Sequence, residues 1–276
     1  MDYARKIDFA LNLLRSIPQE DGPIEVSYSG GKDSDVILEL AKMAGIPFEA
    51  IYKQTTIDPP GTTAHAKAMG ATIIRPKKSF LQIIEENSMP SRWSRFCCKY
   101  LKEYKVRERA IQGIRRSEST ARAQRYKEPE DCRVYKTGEK VRIYFPILEW
   151  TDEDVARFIN ERGIKCHPLY YDDEGKFHPE RRLGCLGCPM ATDNGRGDFL
   201  QYPKLLVQII KAEQRYLDNH PDTNAYEFFK GSAYNAVFKR LFCKTKLDYI
   251  GVTDGLLPDA NIDTKQFLSN YFKVTL

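Results

Sequence analysis

The chain has 276 residues, of which 42% are hydrophobic and 29% are charged, and its formal net charge is +5. These proportions are typical of a globular protein, and no apolar run approaches the ~20 residues that a membrane-spanning helix needs. The N-terminal residues do not form a signal peptide. We therefore expect a cytoplasmic protein with no membrane partner, and its mild positive charge is compatible with a nucleotide or nucleic-acid ligand.

Segments of strand and helix character alternate along the first part of the chain. We predict helices over residues 2–16, from the loop at 29–34 to about 44, and over 63–69, 80–87 and 99–110. We predict strands over 24–28, 48–52, 72–74 and 111–114, and a hairpin over 132–144 that turns at 137–139. Two further helices are expected, one with Thr151 as its N-cap and one over 199–217.

This alternation predicts an α/β fold with a doubly wound, mostly parallel sheet. We assign residues 1–205 to a nucleotide-binding domain and residues 206–276 to a helical, cysteine-containing C-terminal extension that packs on it. The boundary is the end of the stretch, roughly residues 20 to 205, that resembles a known family, and the last fifty or so residues have a mixed, aromatic-rich composition.

The segment after the first predicted strand has the composition of a phosphate-binding loop. It reads S-G-G-K-D-S over residues 29–34 and directly precedes a helical pattern. Two glycines let the backbone turn sharply and approach a ligand. The N-terminus of the following helix offers unpaired N–H groups and the positive end of its dipole to an anion. We predict that nucleotide phosphates bind to Ser29, Gly30, Gly31, Lys32, Asp33 and Ser34.

The chain has seven cysteines, and in a cytosolic protein we do not expect structural disulfides. Cys97 and Cys98 are adjacent, and Cys185 and Cys188 form a C-x-x-C motif. This motif lets two thiolates bind one metal or cluster, and an adjacent pair can supply two further ligands. Four thiolates suit either a [4Fe–4S] cluster or a tetrahedral zinc ion, and the spacing alone does not distinguish them.

The loop resembles the PP-loop of the ATP-pyrophosphatase and sulfonucleotide-reductase superfamily, whose motif is S-G-G-x-D-S after a first strand. The remaining motifs are similar to those of iron–sulfur members of the phosphoadenosine phosphosulfate (PAPS) reductase family, including the DNA-phosphorothioation type. Their order is a Cys-Cys pair, a segment like that from Trp150 to Val155, and a C-x-x-C. The resemblance implies an adenine nucleotide α-hydrolase-like, Rossmann-like sheet. It also implies a [4Fe–4S] cluster, with zinc as the alternative, held by Cys97, Cys98, Cys185 and Cys188.

The resemblance assigns further residues around the loop. The segment that begins at Gly113 is similar to the family's Arg-rich nucleotide-binding loop, and forked guanidinium donors suit phosphate or sulfate. The implied nucleotide ligands outside the PP-loop are Thr56, Asp58, Gly113, Arg115, Arg116 and Arg122. The implied catalytic residues are Lys32, Asp33, Arg115 and Arg116. The nucleotide is ATP, PAPS or adenosine phosphosulfate (APS), with Mg²⁺ between the phosphate oxygens.

Three functions are compatible with these motifs. The first is ATP-dependent activation that forms AMP and pyrophosphate and is coupled to sulfur transfer, with a sulfur donor protein as partner and nucleic acid as a candidate acceptor. The second is the release of sulfite from PAPS or APS. The third is a non-catalytic nucleotide- or nucleic-acid-binding module with a structural metal.

The intact loop favours ATP and the first function. The sequence also lacks the Glu-Cys-Gly-x-His nucleophile found at the C-terminus of assimilatory reductases. It leaves open the acceptor, the pathway, the role of Cys243 and the oligomeric state.

Overall fold

The computed structural model describes residues 2–19, 22–104, 107–134, 138, 140–243 and 263–276. The chain divides into two compact units. The first, which we call the α/β unit, comprises Met1–Gln54, Asp58–Arg75 and Glu103–Gly184. The second, the helical unit, comprises Thr55–Ile57, Pro76–Lys102 and Cys185–Leu276. The predicted domain boundary at residue 205 stays a prediction.

The strands of the described residues are β1 (Ile24–Tyr28), β2 (Phe48–Lys53), β3 (Thr72–Ile74), β4 (Arg109–Ile111), β5 (Glu130–Val134) and β6 (Lys140–Tyr144). The first helices are α1 (Tyr3–Arg15), α2 (Lys32–Ala44), α3 (Thr62–Ala68), α4 (Phe80–Asn87), α5 (Phe96–Leu101) and α6 (Thr120–Arg125). They are followed by α7 (Asp152–Arg162), α8 (Arg196–Gln201), α9 (Pro203–Asn219), α10 (Asn224–Phe229), α11 (Ala233–Phe242) and α12 (Thr264–Phe272). Short 3-10 turns lie at Arg116–Glu118 and Pro168–Tyr170.

The strands form one sheet in the α/β unit, in the order β3-β2-β1-β4-β6-β5. Neighbouring strands are parallel except β5 and β6, which form the predicted antiparallel hairpin. Of the predicted turn of this hairpin, Thr137 and Glu139 lie outside the described residues. The predicted α/β fold with a mostly parallel sheet is thus confirmed. Because the strand order reverses between β1 and β4, the loops at their carboxyl ends flank the crevice where such sheets bind ligands.

Helices α1, α2 and α7 pack together around the apolar side chains of β1. Val26 of β1 and Leu40 of α2 are completely buried. Helix α2 ends at Gly45, whose φ of +70° lies in the left-handed region that favours glycine. Helix α7 begins after the predicted N-cap, because Thr151 and Asp154 exchange hydrogen bonds between side chain and backbone in a capping box.

The helical unit has its own core, to which α4, α8, α9, α11 and α12 contribute. Leu206 of α9 and Val237 of α11 are completely buried there. The core also contains an ion pair, in which Arg240 Nη1 donates to Glu213 Oε1 at 2.9 Å. None of the helices in the described ranges has the length and hydropathy that a membrane span requires.

Two of the predicted helices differ from the structure. The basic helix predicted over 99–110 is wrong, because α5 ends at Leu101 and β4 begins at Arg109. Ala110 of β4 is completely buried and pairs with β1 and β6, so tertiary pairing outweighs local helix propensity. The helix predicted over 199–217 is two helices, since Pro203 lacks an N–H group and begins α9.

Candidate functional site

The loop between β1 and α2 owes its shape to two glycines. Gly30 has a φ of +78°, and a Cβ atom at this position would lie 2.9 Å from Thr62 Cγ2. Only glycine fits this position without strain. Gly31 is extended, with φ −84° and ψ 158°, and it caps α2 without a side-chain hydrogen bond. The first turn of a 13-residue helix therefore starts directly at the loop.

Hydroxyl groups accept hydrogen bonds from the backbone of the loop. The N–H of Gly31 donates to Ser29 Oγ at 3.4 Å, and the N–H of Lys32 donates to the Tyr170 hydroxyl at 3.2 Å. Ser34 Oγ donates to the carbonyl oxygen of Gly31 at 2.6 Å. The two N–H bonds are long, and long hydrogen bonds are weak. An anion could therefore replace the Ser29 and Tyr170 hydroxyls as the acceptor of these two N–H groups.

Arg115 joins the loop to the segment after β4 and to α7. Its Nε donates to Asp33 Oδ1 and its Nη2 donates to Asp152 Oδ1, both at 2.7 Å. The Arg115 side chain is only 1% exposed. Burial opposes its charge, but Asp33 and Asp152 outweigh burial and raise the pKa of Arg115 above its ordinary value. Asp33 also accepts from Lys32 Nζ at 3.3 Å, so its carboxylate lies between two cations.

Gly113 brings the loops at the ends of β1 and β4 into contact. A Cβ atom at Gly113 would lie 2.8 Å from the carbonyl oxygen of Asp33, closer than side chains normally approach. The structure therefore brings together the predicted PP-loop residues 29–34, Gly113 and Arg115 in the crevice of the sheet. Their roles in binding and catalysis stay predictions.

The other two predicted arginines are bound by nearby protein groups. Arg116 Nε donates to the carbonyl oxygen of Tyr126 at 2.7 Å, and its Nη1 donates to Glu149. Arg122 donates to Glu118, four residues before it. A phosphate or sulfate at these side chains would compete with the carboxylates, so the predicted anion-binding role of both arginines stays a prediction.

The predicted ligands Asp58 and Thr56 belong to different units. Asp58 is half-buried in the α/β unit. Thr56 belongs to the helical unit, where its hydroxyl accepts the N–H of Phe80 at 2.9 Å. Its φ of +65° is rare for a residue other than glycine. Nucleotide binding by either residue stays a prediction.

A buried polar cluster at the start of α2 was not predicted. Asp35 follows the loop directly and is completely buried. Its carboxylate accepts a hydrogen bond from the Tyr28 hydroxyl and lies 3.0 Å from His65 Nε2. Burial, and then Asp35, raise the pKa of the Cys166 thiol. The sequence contains no signal for this cluster, since an acidic residue in the first turn of a helix is common.

His167 lies beside this cluster, with its ring centroid 5.9 Å from that of His65. Its Nδ1 accepts the N–H of Leu169 at 3.1 Å, so the proton of the neutral ring is on Nε2 and donates to the carbonyl oxygen of Pro60 at 3.2 Å. Burial, and then His65, lower the pKa of His167. The lowered pKa favours the neutral form of this side chain.

The four predicted cysteine ligands all belong to the helical unit. The pKa of Cys97 is raised by a hydrogen bond with Cys98, by burial, and by the thiols of Cys98, Cys185 and Cys188. The thiols of Cys98, Cys185 and Cys188 therefore each interact with that of Cys97. Among the described residues, no group of three or more His, Cys, Asp or Glu side chains has an arrangement that could hold a metal ion.

Comparisons with known proteins identify relatives of the chain. A family model described as the phosphoadenosine phosphosulfate reductase domain matches residues 23–191. An uncharacterized protein of Methanocaldococcus jannaschii is 30% identical over 211 residues, which cover 70% of this chain and 48% of the relative. Sulfate adenylyltransferase subunit 2 of Allorhizobium ampelinum is 28% identical over 257 residues, which cover 76% of this chain and 80% of the relative.

Among solved structures, PAPS reductase from Candida auris in a phosphate complex is similar with a TM-score of 0.41 and 18% identity, covering 65% of this chain and 93% of that one. The chain spans about half the length of the Methanocaldococcus relative.

Proposed function

Because the chain belongs to the phosphoadenosine phosphosulfate reductase domain family, we propose that its loop at residues 29–34 binds ATP and that the protein adenylates an acceptor ahead of sulfur transfer. An oxygen of the acceptor attacks the α-phosphorus of ATP, and the bond from this phosphorus to the bridging oxygen breaks as pyrophosphate leaves. The terminal sulfur of a persulfide on a donor protein then displaces AMP, which carries away the former acceptor oxygen. A second thiol of the donor attacks the inner sulfur of the persulfide, forms a disulfide with it and leaves the terminal sulfur on the acceptor.

The observation that carries this proposal is the geometry of the loop. The intact S-G-G-K-D-S segment presents the N–H groups of Gly31 and Lys32 at the start of α2, on long hydrogen bonds to hydroxyls. Phosphate oxygens accept such N–H groups more strongly, because the acceptor is charged and the positive end of the helix dipole faces it. The relationship to a sulfate adenylyltransferase subunit supports adenylyl transfer as the reaction class.

The charged groups of the crevice have distinct roles in this proposal. Lys32 Nζ, now 3.3 Å from Asp33, neutralises the charge that develops on the leaving pyrophosphate. Arg115 contacts two carboxylates and holds Asp33 in place, so it positions the loop. Mg²⁺ bound with the nucleotide would supply further neutralisation of the phosphate charge.

We also propose that Cys97, Cys98, Cys185 and Cys188 hold one [4Fe–4S] cluster, with zinc as the alternative. The all-thiol donor set suits both, and the family resemblance favours iron. A bound cluster would supply redox or sulfur-carrying chemistry, whereas zinc would stabilise the helical unit.

A second candidate function is favoured by the family model itself, which is named for PAPS reductase. In this reaction a thiol attacks the sulfur of PAPS or APS and displaces the adenosine nucleotide. A second thiol then forms a disulfide with the first and releases sulfite. A third candidate, a binding module without catalysis, predicts nucleotide binding with no product.

One experiment separates the three candidates. Anaerobically reconstituted protein is incubated with ATP or with PAPS, and pyrophosphate and sulfite are measured. We expect pyrophosphate from ATP. Thiol-dependent sulfite from PAPS would instead support the reductase, and tight nucleotide binding without either product would support the binding module.

The loop variant for this assay is Gly31→Val, because a Cβ at Gly31 already lies 3.3 Å from the Tyr170 hydroxyl. The matched control is Gly184→Ala, which adds a Cβ where no atom lies within 4 Å. We expect the first variant to lose nucleotide binding and the second to retain it. Full ATP binding by Gly31→Val would mean that the loop is only a turn.

The metal proposal has its own test. Iron and acid-labile sulfide are measured in wild type, in Cys185→Ser and in Cys132→Ser, whose cysteine is exposed in the α/β unit. We expect the Cys185 variant to lose iron and sulfide and the Cys132 variant to retain both. Unchanged iron in Cys185→Ser would remove that residue from the site, and stoichiometric zinc in wild type would favour the alternative.

A further inference from the structure

Tyr170 contacts the loop at residues 29–34 from a distant part of the sequence, and the proposed chemistry gives it no role. Its hydroxyl accepts the N–H of Lys32 at 3.2 Å and the N–H of Leu183 at 3.3 Å. Lys32 Nζ lies 5.6 Å from the centroid of its ring, within the ~6 Å of a cation–π contact. Tyr170 is buried, as is the side chain of Lys32. Tyr170 therefore contacts both the backbone N–H and the ammonium of Lys32.

The backbone around Tyr170 fixes the position of its side chain. Its N–H donates to the carbonyl oxygen of His167 at 3.0 Å, and its carbonyl oxygen accepts the N–H of His178 at 2.7 Å. Arg181 Nη1 donates to the carbonyl oxygen of the next residue, Tyr171, at 2.7 Å. These partners lie outside the loop, so the Tyr170 hydroxyl is placed at the start of α2 before any ligand binds.

The hydroxyl is a weaker partner for the loop than a phosphate oxygen. Burial raises the pKa of Tyr170 above its ordinary value, so the hydroxyl stays protonated and neutral. A charged oxygen accepts an N–H more strongly than a neutral oxygen does. A phosphate at the loop would therefore take the Lys32 N–H, and the Leu183 N–H would still bind the Tyr170 hydroxyl.

We propose that Tyr170 is a positioning residue of the phosphate site, which holds Lys32 in the free protein and releases its N–H to the ligand. The hydroxyl takes the place of a phosphate oxygen before binding. The ring orients the ammonium that neutralises the leaving pyrophosphate. This inference rests on the proposed function, in which the loop binds the phosphates of ATP.

The test compares the binding of ATP and of inorganic pyrophosphate to wild type and to Tyr170→Phe by calorimetry. In the variant the Lys32 N–H has lost its hydroxyl acceptor, and a phosphate oxygen supplies a new one. We expect both ligands to bind about fivefold more tightly, because binding no longer breaks the hydrogen bond to the hydroxyl. A purely structural role predicts the opposite, since a loosened loop binds phosphate less tightly. Unchanged or weaker binding by folded Tyr170→Phe would overturn the proposal.

The matched control is Tyr171→Phe. The Tyr171 hydroxyl also accepts a backbone N–H at 3.3 Å, but this N–H belongs to Cys166, outside the loop. We expect both variants to unfold at a lower temperature than wild type, and Tyr171→Phe to bind ATP and pyrophosphate like wild type. Equally tightened binding by the two variants would show that the gain does not come from Lys32, and it would contradict the proposal.

A third variant, Tyr170→Leu, tests the ring. Leucine offers the Lys32 ammonium no aromatic face, whereas phenylalanine retains it. We expect pyrophosphate to bind about fivefold less tightly to Tyr170→Leu than to Tyr170→Phe, and the kcat for pyrophosphate release from ATP to be lower. Thermal unfolding checks that both variants are folded. Equal pyrophosphate affinity of the two folded variants would contradict the role of the ring.

Failure of this inference can be distinguished from failure of the proposed function. Tighter pyrophosphate binding by Tyr170→Phe, without pyrophosphate formation from ATP by wild type, would preserve this inference and refute the adenylation. Pyrophosphate formation from ATP without tighter binding by Tyr170→Phe would do the reverse. A wild-type protein that binds neither ATP nor pyrophosphate would refute both.

Discussion

Among the described residues, each unit buries one arginine, and the two side chains have different partners. Arg115 of the α/β unit binds carboxylates that reach solvent, since Asp33 is 18% and Asp152 is 48% exposed. Arg240 of the helical unit binds Glu213, which is completely buried. The carboxylates that Arg115 binds lie at the open end of a crevice, where a ligand can reach them. Arg240 and Glu213 instead pair inside a core.

We expect this difference in environment to correspond to a functional role for Arg115 and a structural role for Arg240. Water and ligands can reach the partners of Arg115, so its loss should affect nucleotide binding as well as stability. Water does not reach Glu213, the partner of Arg240. Loss of this ion pair should therefore mainly lower the stability of the fold.

The largest expected effect is that of Glu213→Ala. It leaves Arg240 with an uncompensated buried charge and removes the acceptor of the Met89 N–H, which is 2.6 Å from Glu213 Oε2. We expect a loss of about 3–5 kcal/mol in the free energy of unfolding, measured by urea titration. The double variant Glu213→Leu with Arg240→Met should recover much of this loss. If Glu213→Ala were as stable as wild type, the ion pair with Arg240 would not stabilise the core.

Arg115→Lys should lower the stability less than Glu213→Ala does, and it should also weaken ATP binding by the loop at residues 29–34. A lysine cannot bridge Asp33 and Asp152 at once, because its ammonium is a single point of charge. We expect a loss of about 2–3 kcal/mol in unfolding free energy and weaker ATP binding in calorimetry. Arg157→Lys, in an exposed pair with Glu161, serves as the control and should change neither quantity. Unchanged ATP affinity in Arg115→Lys would show that Arg115 does not position the loop.

Gly113→Ala tests the contact between the two loops of the crevice. The added Cβ would meet the carbonyl oxygen of Asp33 at 2.8 Å, and backbone cannot move away as a flexible side chain can. We expect a loss of about 1–2 kcal/mol in unfolding free energy and a lower affinity for ATP. Gly184→Ala is the matched control, since open space surrounds its added Cβ. If the two variants had equal stability and equal ATP affinity, the close contact between Gly113 and the Asp33 carbonyl would be contradicted.

The smallest expected effect concerns pH. The pKa of His167 is lowered in the folded state, so the unfolded chain binds its proton first as the pH falls below about 6.5. Stability contributed by the neutral ring is therefore fully present above that pH and is lost as the pH falls toward the folded pKa. The slope is a fraction of the ~1.4 kcal/mol per pH unit that one proton can contribute.

Urea titrations between pH 7.5 and pH 5 check this prediction, with His167→Gln as the comparison. Glutamine can still donate to Pro60 but does not titrate, so its curve should be flatter than that of wild type. His65 and Asp35 lie close to the ring and are present in both proteins, so the difference between the two curves reports His167. If the free energy of unfolding changed with pH in the same way in both proteins, the lowered pKa of His167 would be refuted.

The α/β fold and the PP-loop could be predicted because their signals are local. A strand pattern, two glycines and a helix pattern follow one another within residues 24–44. The N-cap of α7 is equally local, since its capping box joins Thr151 to Asp154 three residues later. The C-x-x-C motif and the adjacent cysteine pair are also recognisable by spacing, and the metal site that they were assigned to stays a prediction.

Local signals failed where pairing between distant segments decided the structure. The segment 99–110 has a helical composition, but Ala110 lies between β1 and β6, and the hydrogen bonds of the sheet outweigh local propensity. Asp35 resembles an ordinary acidic residue of a first helical turn. Its burial depends on Tyr28 and on His65, which is 30 residues away.

The sequence by itself determined which residues form the loop and the sheet strands β1 to β3, because these depend on neighbours in the chain. Only the tertiary structure decided that Arg115 contacts Asp33, 82 residues away, and that Arg240 contacts Glu213 in a core. Both arginines lie in basic stretches of sequence and carry the same charge. Their different environments follow from which carboxylates the fold places within hydrogen-bonding distance and from how much water it leaves around them, and neither quantity is a local property of the chain.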